Sequence, residues 1–146
     1  MSLLKIIKYP DNRLRNIAQP VKIINKKIHQ IIQDMYYTMY EKQGIGLAAT
    51  QVGINLQIIV IDISEKQTDP IILINPKKIY CSEKISIEEG CLSIPNTLKK
   101  ITRANKIQIQ TLNYYGKKII IEAKELLSIC IQHEMDHLVG KLIIDY

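Results

Sequence analysis

The residues best equipped for chemistry stand together late in the chain, as His133-Glu134-Met135-Asp136-His137. On a helix, positions i and i+4 share one face, so His133 and His137 can aim their imidazoles at one metal ion. Glu134, one position on, can reach a water held by that ion and act as general base. Two of the three histidines lie in this pentapeptide. The third, His29, falls near the start of another helical segment and reads as a surface or packing residue. The bland alternative is a surface helix with two unrelated histidines. The apolar neighbours Leu127, Cys130, Ile131 and Leu138 favour a low-dielectric metal site instead.

A catalytic tetrahedral site needs a third protein ligand and one open position. A third His six residues after His137 would complete the metzincin pattern, but Ile143 stands there. A downstream Glu, as in thermolysin-like enzymes, is also missing, because Asp145 is the only acidic residue after His137. The ligand must come from upstream, and the candidate is Cys91 in Glu88-Glu89-Gly90-Cys91-Leu92-Ser93. One thiolate with two imidazoles suits Fe(II), Zn(II), Co(II) or Ni(II). From local features two roles stay open for Cys91: metal ligand, or small buried hydrophobe of the kind expected of Cys81 and Cys130. Asp136 could hold a ligand histidine or Arg103, or be solvated, and Glu89 could be a buried partner or a strand-edge charge.

The elements that must position these residues are legible in outline. A short helix is predicted over 11–18. A longer one is predicted over 25–42, with Asn25 as N-cap, Ile28, Ile31, Ile32, Met35 and Met39 on its apolar face, and Gly44 as its left-handed terminator. Strands are predicted over 56–63, 71–79, 86–93, 106–113 and 118–123, with a turn at Tyr114-Tyr115-Gly116-Lys117. In the fourth, Ile107, Ile109 and Thr111 share one face. The helix carrying the pentapeptide is predicted over 124–139 and closed by Gly140. Strands around one late helix point to an α+β fold, with antiparallel sheets packed around the C-terminal HExxH helix and an N-terminal helix added.

Composition sets the frame. At 146 residues, 47% hydrophobic and 23% charged, the chain fits one globular domain spanning 1–146. Charged or amide residues interrupt every apolar run, so no membrane span is predicted. The opening MSLLKIIKYP lacks a long apolar core and a small-residue cleavage site, so no secretory signal is expected. Three cysteines without CxxC spacing fit a reducing compartment. The net charge of +6 is spread over scattered lysine pairs without a basic stripe, which argues against specific nucleic-acid binding and for at most a weak aid near RNA. Only three of the 20 basic residues are Arg, and all eight aromatic residues are Tyr. That skew, together with the abundance of Ile, reads as genomic base bias rather than function.

Three segments together resemble the peptide deformylase family: Gly44-Ile45-Gly46-Leu47-Ala48-Ala49-Thr50-Gln51, Glu89-Gly90-Cys91-Leu92-Ser93, and His133-Glu134-Met135-Asp136-His137. They stand in the family's order, and the resemblance covers essentially the whole chain. It implies removal of the N-formyl group from the formyl-methionine of newly made polypeptides, with release of formate. It also implies Cys91, His133 and His137 as ligands of one divalent ion, Fe(II) first and Zn(II), Ni(II) or Co(II) as alternatives. Glu134 would be the general base, with Gln51 and the backbone N–H of Leu92 as oxyanion donors. Gly44, Ile45, Gly46 and Gly90 would lie along the peptide, and Ile45, Ile87, Leu126, Ile129 and Cys130 would receive the methionine side chain. The implied partner is an N-formyl-methionyl nascent chain, with weak ribosome proximity. The implied compartment is the bacterial cytoplasm rather than an organelle. The chain departs from the family at Leu98, where many members carry Arg, and it stops at Tyr146, where many continue into a charged helix. Two other function classes compete: a different metallohydrolase such as a peptidase, and a non-catalytic metal- or RNA-binding module.

Overall fold

Asn25 begins the first helix as its side-chain chemistry predicts. In the computed structural model, which describes residues 1–146, its Oδ1 accepts the N–H of Ile28 at 3.1 Å, and α1 runs Lys26–Glu41. Ile28, Ile32, Met35 and Met39 are buried on one face, and Ile31 packs at its margin. The helix does not end at a left-handed Gly44. Gln43 takes that conformation, at φ 57°, and the Gly44 N–H donates back to the Met39 carbonyl at 2.9 Å. Gly44 lies instead against Leu92, whose Cδ1 would be 2.7 Å from a Cβ there. The short helix predicted over 11–18 is reduced to one 3-10 turn, Asn12–Arg15.

The strands form one five-stranded antiparallel sheet in the order β1-β2-β3-β4-β5. They are β1 (Gly46–Ala48), β2 (Ile58–Ile61), β3 (Ile71–Cys91), β4 (Ile94–Leu112) and β5 (Lys118–Lys124). This corrects two expectations. A single sheet replaces several, and the strands predicted over 71–79 and 86–93 are one continuous β3. Pro76 sits inside it, tolerated where the β3–β4 register shifts between Ile74 and Lys77. β4 likewise starts at Ile94, well before the predicted 106–113 segment.

The second helix, α2, spans Glu125–Leu138 and carries the pentapeptide. The sheet lies between the two helices. Along β2 the side chains alternate: Ile58 and Val60 join α1's Ile32, Met35 and Met39, while Ile59 and Ile61 join Cys130, Ile131 and Leu138 of α2. Four consecutive buried residues on β2 are what a strand covered on both faces requires. Each such side chain contributes about 1.5–3 kcal/mol by leaving water. Ile107 and Ile109 bury against α2 from β4, and Thr111 is buried beside them. Gly140 ends α2 at φ 75°, where a Cβ would meet the Arg15 carbonyl oxygen at 2.5 Å. No helix is long and apolar enough to cross a membrane.

Candidate metal centre and peptide cavity

The register of one hairpin places the sulfur. Cys91 pairs with Ile94, so Leu92 and Ser93 make a two-residue turn and Cys91 is the last residue of β3. The turn is pinned on both sides. The Ser93 carbonyl accepts the Tyr9 N–H at 2.9 Å, and its hydroxyl accepts from Gln51 Nε2 at 3.1 Å. Cys91 Sγ lies 3.3 Å from His137 Nε2. The ligand atoms of Cys91, His133 and His137 all fall within 4.8 Å of one another. Donors of one tetrahedral ion at normal bond lengths stand about 3.5 Å apart, so this soft-plus-imidazole set fits such an ion. The ring nitrogen His137 Nδ1 is buried without a hydrogen-bond partner.

His133 is oriented from behind. Its Nδ1 lies 3.0 Å from Glu89 Oε1, which leaves Nε2 for the centre. Glu89 is itself gripped by the Arg103 guanidinium, through Nε to Oε2 and through Nη2 to Oε1 at 2.9 Å. Arg103 Nη1 donates onward to Asp136 Oδ2 at 3.0 Å and to the Tyr146 hydroxyl at 3.1 Å. Both Glu89 and Arg103 are buried, at 6% exposure each. Burial opposes the charge on each. For Glu89 the hydrogen bond to His133 and the Arg103 pair prevail and hold the carboxyl below its usual range. For Arg103 the Glu89 and Asp136 carboxylates prevail and raise its pKa above its own. Of the alternatives open in the sequence, Glu89 is a buried partner and Asp136 joins Arg103.

Glu134 is buried, with Oε1 unpartnered and Oε2 4.0 Å from His133 Nε2. Burial pushes its carboxyl up to about 7. The β1 backbone presses against it, since a Cβ on Gly46 would lie 2.6 Å from Glu134 Oε2. Gln51 is held by its own side chain: Oε1 accepts the Ala48 N–H at 2.9 Å, and Nε2 points at Ser93 and, at 3.6 Å, at Cys91 Sγ.

The metal-free protein should lose stability with rising pH. Burial works against a charged His133, but Glu134, Cys91 and Glu89 outweigh it and raise its pKa to about 10. A group raised in the fold stabilises fully below its unfolded pKa of about 6.5 and loses that contribution as pH climbs through the folded value. Burial keeps His137 neutral, with a pKa of about 3, so it adds no slope in that window. The expected result is a Tm of chelated protein that falls between about pH 7 and 10 more steeply than that of a His133→Gln variant.

A cavity of about 390 Å³ opens beside these groups. Gly44, Ile45, Gly46, Ile87, Gly90, Leu126, Ile129 and Cys130 line it together with Gln51, Cys91, Leu92, His133 and Glu134. His137 is not on its wall and reaches the centre from below, at 2% exposure. Burial pushes the Cys130 thiol up to about 12, so it serves as an apolar wall. Cys81, expected to be buried, is exposed on β3. Gly90 is not sterically required, because the nearest atom to a Cβ there would be Leu98 Cδ2 at 3.4 Å, an ordinary contact. His29 stacks on Tyr114 at 3.9 Å, far from any ligand role. Arg103 was named in the sequence only as one residue that Asp136 could hold; its grip on Glu89, and through Glu89 on His133, was not anticipated.

The family model for polypeptide deformylase matches residues 3–146. A peptide deformylase of Buchnera aphidicola is 62% identical over 146 residues, spanning all of this chain and 84% of that protein. The crystal structure of a peptide deformylase from Legionella pneumophila superposes with TM-score 0.96 at 40% identity, covering 99% of this chain and 85% of that one. One from Ehrlichia chaffeensis, in complex with actinonin, gives TM-score 0.96 at 39% identity over 100% of this chain and 89% of that one. With a matching family model over nearly its whole length and a relative above 60% identity, the chain belongs to the polypeptide deformylase family of enzymes.

Proposed function

We propose that the chain hydrolyses the N-formyl group of formyl-methionyl termini on newly made polypeptides in the bacterial cytoplasm. One water is consumed, the formyl C–N bond breaks, and formate and a free amine leave. The observation that carries this is convergence: the hairpin tip with Cys91, the α2 histidines, Glu134 and Gln51 all meet at one end of a cavity with an apolar wall.

Cys91, His133 and His137 would hold one divalent ion, Fe(II) foremost, with Zn(II), Ni(II) or Co(II) compatible with the same donors. When bound, the ion supplies Lewis acidity toward water and the formyl group. Glu134 takes a proton from the attacking water and returns it to the leaving amine. Gln51 Nε2 and the Leu92 N–H donate to the oxygen that gains charge. β1 is a sheet edge, and the Gly44-Ile45-Gly46 backbone pairs with the extended substrate as an added strand, with the Gly90 carbonyl opposite. Ile45, Ile87, Leu126, Ile129 and Cys130 surround the methionine side chain.

Anaerobically purified, metal-loaded protein should release formate from formyl-Met-Ala-Ser, stop on chelation, and leave the internal peptide bonds whole. Cleavage at an internal bond without formate release would replace this reading with a peptidase. No turnover by protein carrying one metal per chain would leave only a binding role.

A further inference from the structure

A second groove, of about 680 Å³, lies along the N-terminal segment. Leu92 lines both this groove and the catalytic cavity. Lys42 lines the groove, and its neighbour Gln43 begins the wall of the cavity. The two spaces are therefore neighbours that meet at Leu92. The groove has an apolar floor that includes Leu4 and Pro95, and a rim of Lys5, Lys8, Arg13 and Lys42. Asp11 is its only acidic lining residue, and it is committed to Arg13, Nη2 to Oδ2 at 2.8 Å. Lys5, Lys8 and Lys42 make no ion pair with any carboxylate of the chain. Three exposed ammonium groups thus border one groove without a direct ion pair, and Asp11, bound to Arg13, attracts only Lys5 and only at longer range.

We propose that this groove receives the downstream part of the substrate peptide and selects chains that carry acidic side chains there. The inference rests on the deformylase reading for the direction in which the peptide leaves the site. An extended chain advances about 3.3 Å per residue, so residues a few positions beyond the formyl-methionine can reach a groove that meets the cavity at Leu92. Charge complementarity then favours Asp and Glu. The other polyanion that could sit there is RNA. No aromatic side chain lines the groove to stack a base, and its shared wall with the catalytic cavity favours the peptide.

The test compares formyl-Met-Ala-Ser with three longer peptides that continue it by three Glu, three Gln or three Lys. At low salt the Glu peptide should exceed the Lys peptide in kcat/KM by about fivefold or more, since each exposed pair contributes only modestly. The ratio should shrink toward one in high salt, where the Debye length falls to about 3 Å. It should invert in a Lys5→Glu, Lys8→Glu, Lys42→Glu triple variant and vanish in the matching triple Gln variant. Turnover of the tripeptide should stay at the wild-type level in both. Fluorescence anisotropy on the same peptides reads the groove without turnover, so failure of the tripeptide to react and failure of charge selection are separate results. Equal rates and affinities for Glu and Lys peptides, or a Glu preference that survives charge reversal, would overturn the proposal. Polyuridylate that competes for the groove while the peptides do not discriminate would overturn it in favour of RNA.

Discussion

Replacing Glu134 by Gln is expected to lower kcat for formyl-Met-Ala-Ser by about 10³-fold, within the range that general acid–base groups contribute. The substitution preserves size and shape and removes only the ability to accept a proton. Both properties matter, because the side chain is buried against Gly46, where a methyl group would fall 2.6 Å from its Oε2. Burial holds its carboxyl at about 7, near the optimum for taking a proton at neutral pH and giving it back. Oε1 has no hydrogen-bond partner within the protein, and the residue lines the cavity wall. KM and bound metal should stay near wild type, since Glu134 is not among the three clustered donors. A variant with kcat within a few-fold of wild type would assign Glu134 to packing and move the base elsewhere.

The second large effect is on stability. Arg103→Met should destabilise the metal-free protein by about 3–5 kcal/mol, the usual result of stranding one partner of a buried ion pair. Glu89 would be left buried at 6% exposure with His133 as its only side-chain partner. Because Glu89 aims His133, metal affinity should fall about 10–100-fold as well. A second substitution, Glu89→Gln, removes the stranded charge but keeps an oxygen for His133 Nδ1. The double variant should therefore recover part of the lost stability. Urea midpoints and competition with a metal chelator give both numbers. A single variant within about 1 kcal/mol of wild type, a loss typical of exposed pairs, would show that Arg103 and Glu89 do not behave as a buried ion pair.

What the sequence disclosed and what it hid divide along physical lines. Helical spacing is local, so the facing of His133 and His137, the α1 cap at Asn25 and the apolar stripe of α1 were all readable. The strand over 106–113 alternated cleanly because one face is buried and the other is not. β3 was read as two pieces because its middle, from Lys77 to Glu83, is almost entirely exposed and has no apolar period to read. The Arg103–Glu89 pair depends on register between β3 and β4, where Glu89 opposes Lys99 and Arg103 opposes Ile85. No spacing rule anticipates a contact between residues four positions out of register. Gly44 shows the converse. The glycine was conspicuous, but it lies just past the helix terminus, which Gln43 forms, and packs against Leu92.

Cys91 ends a strand, and His137 stands 46 positions later near the end of α2. An ion held by both would close that stretch into a ring, much as a disulfide does. By the loop-entropy estimate a ring of that size disfavours the unfolded chain by about 4 kcal/mol. Metal supply would then set the lifetime of the chain as well as its activity. Under metal starvation the protein would be lost to unfolding and proteolysis, rather than persisting as a reservoir of intact apoenzyme.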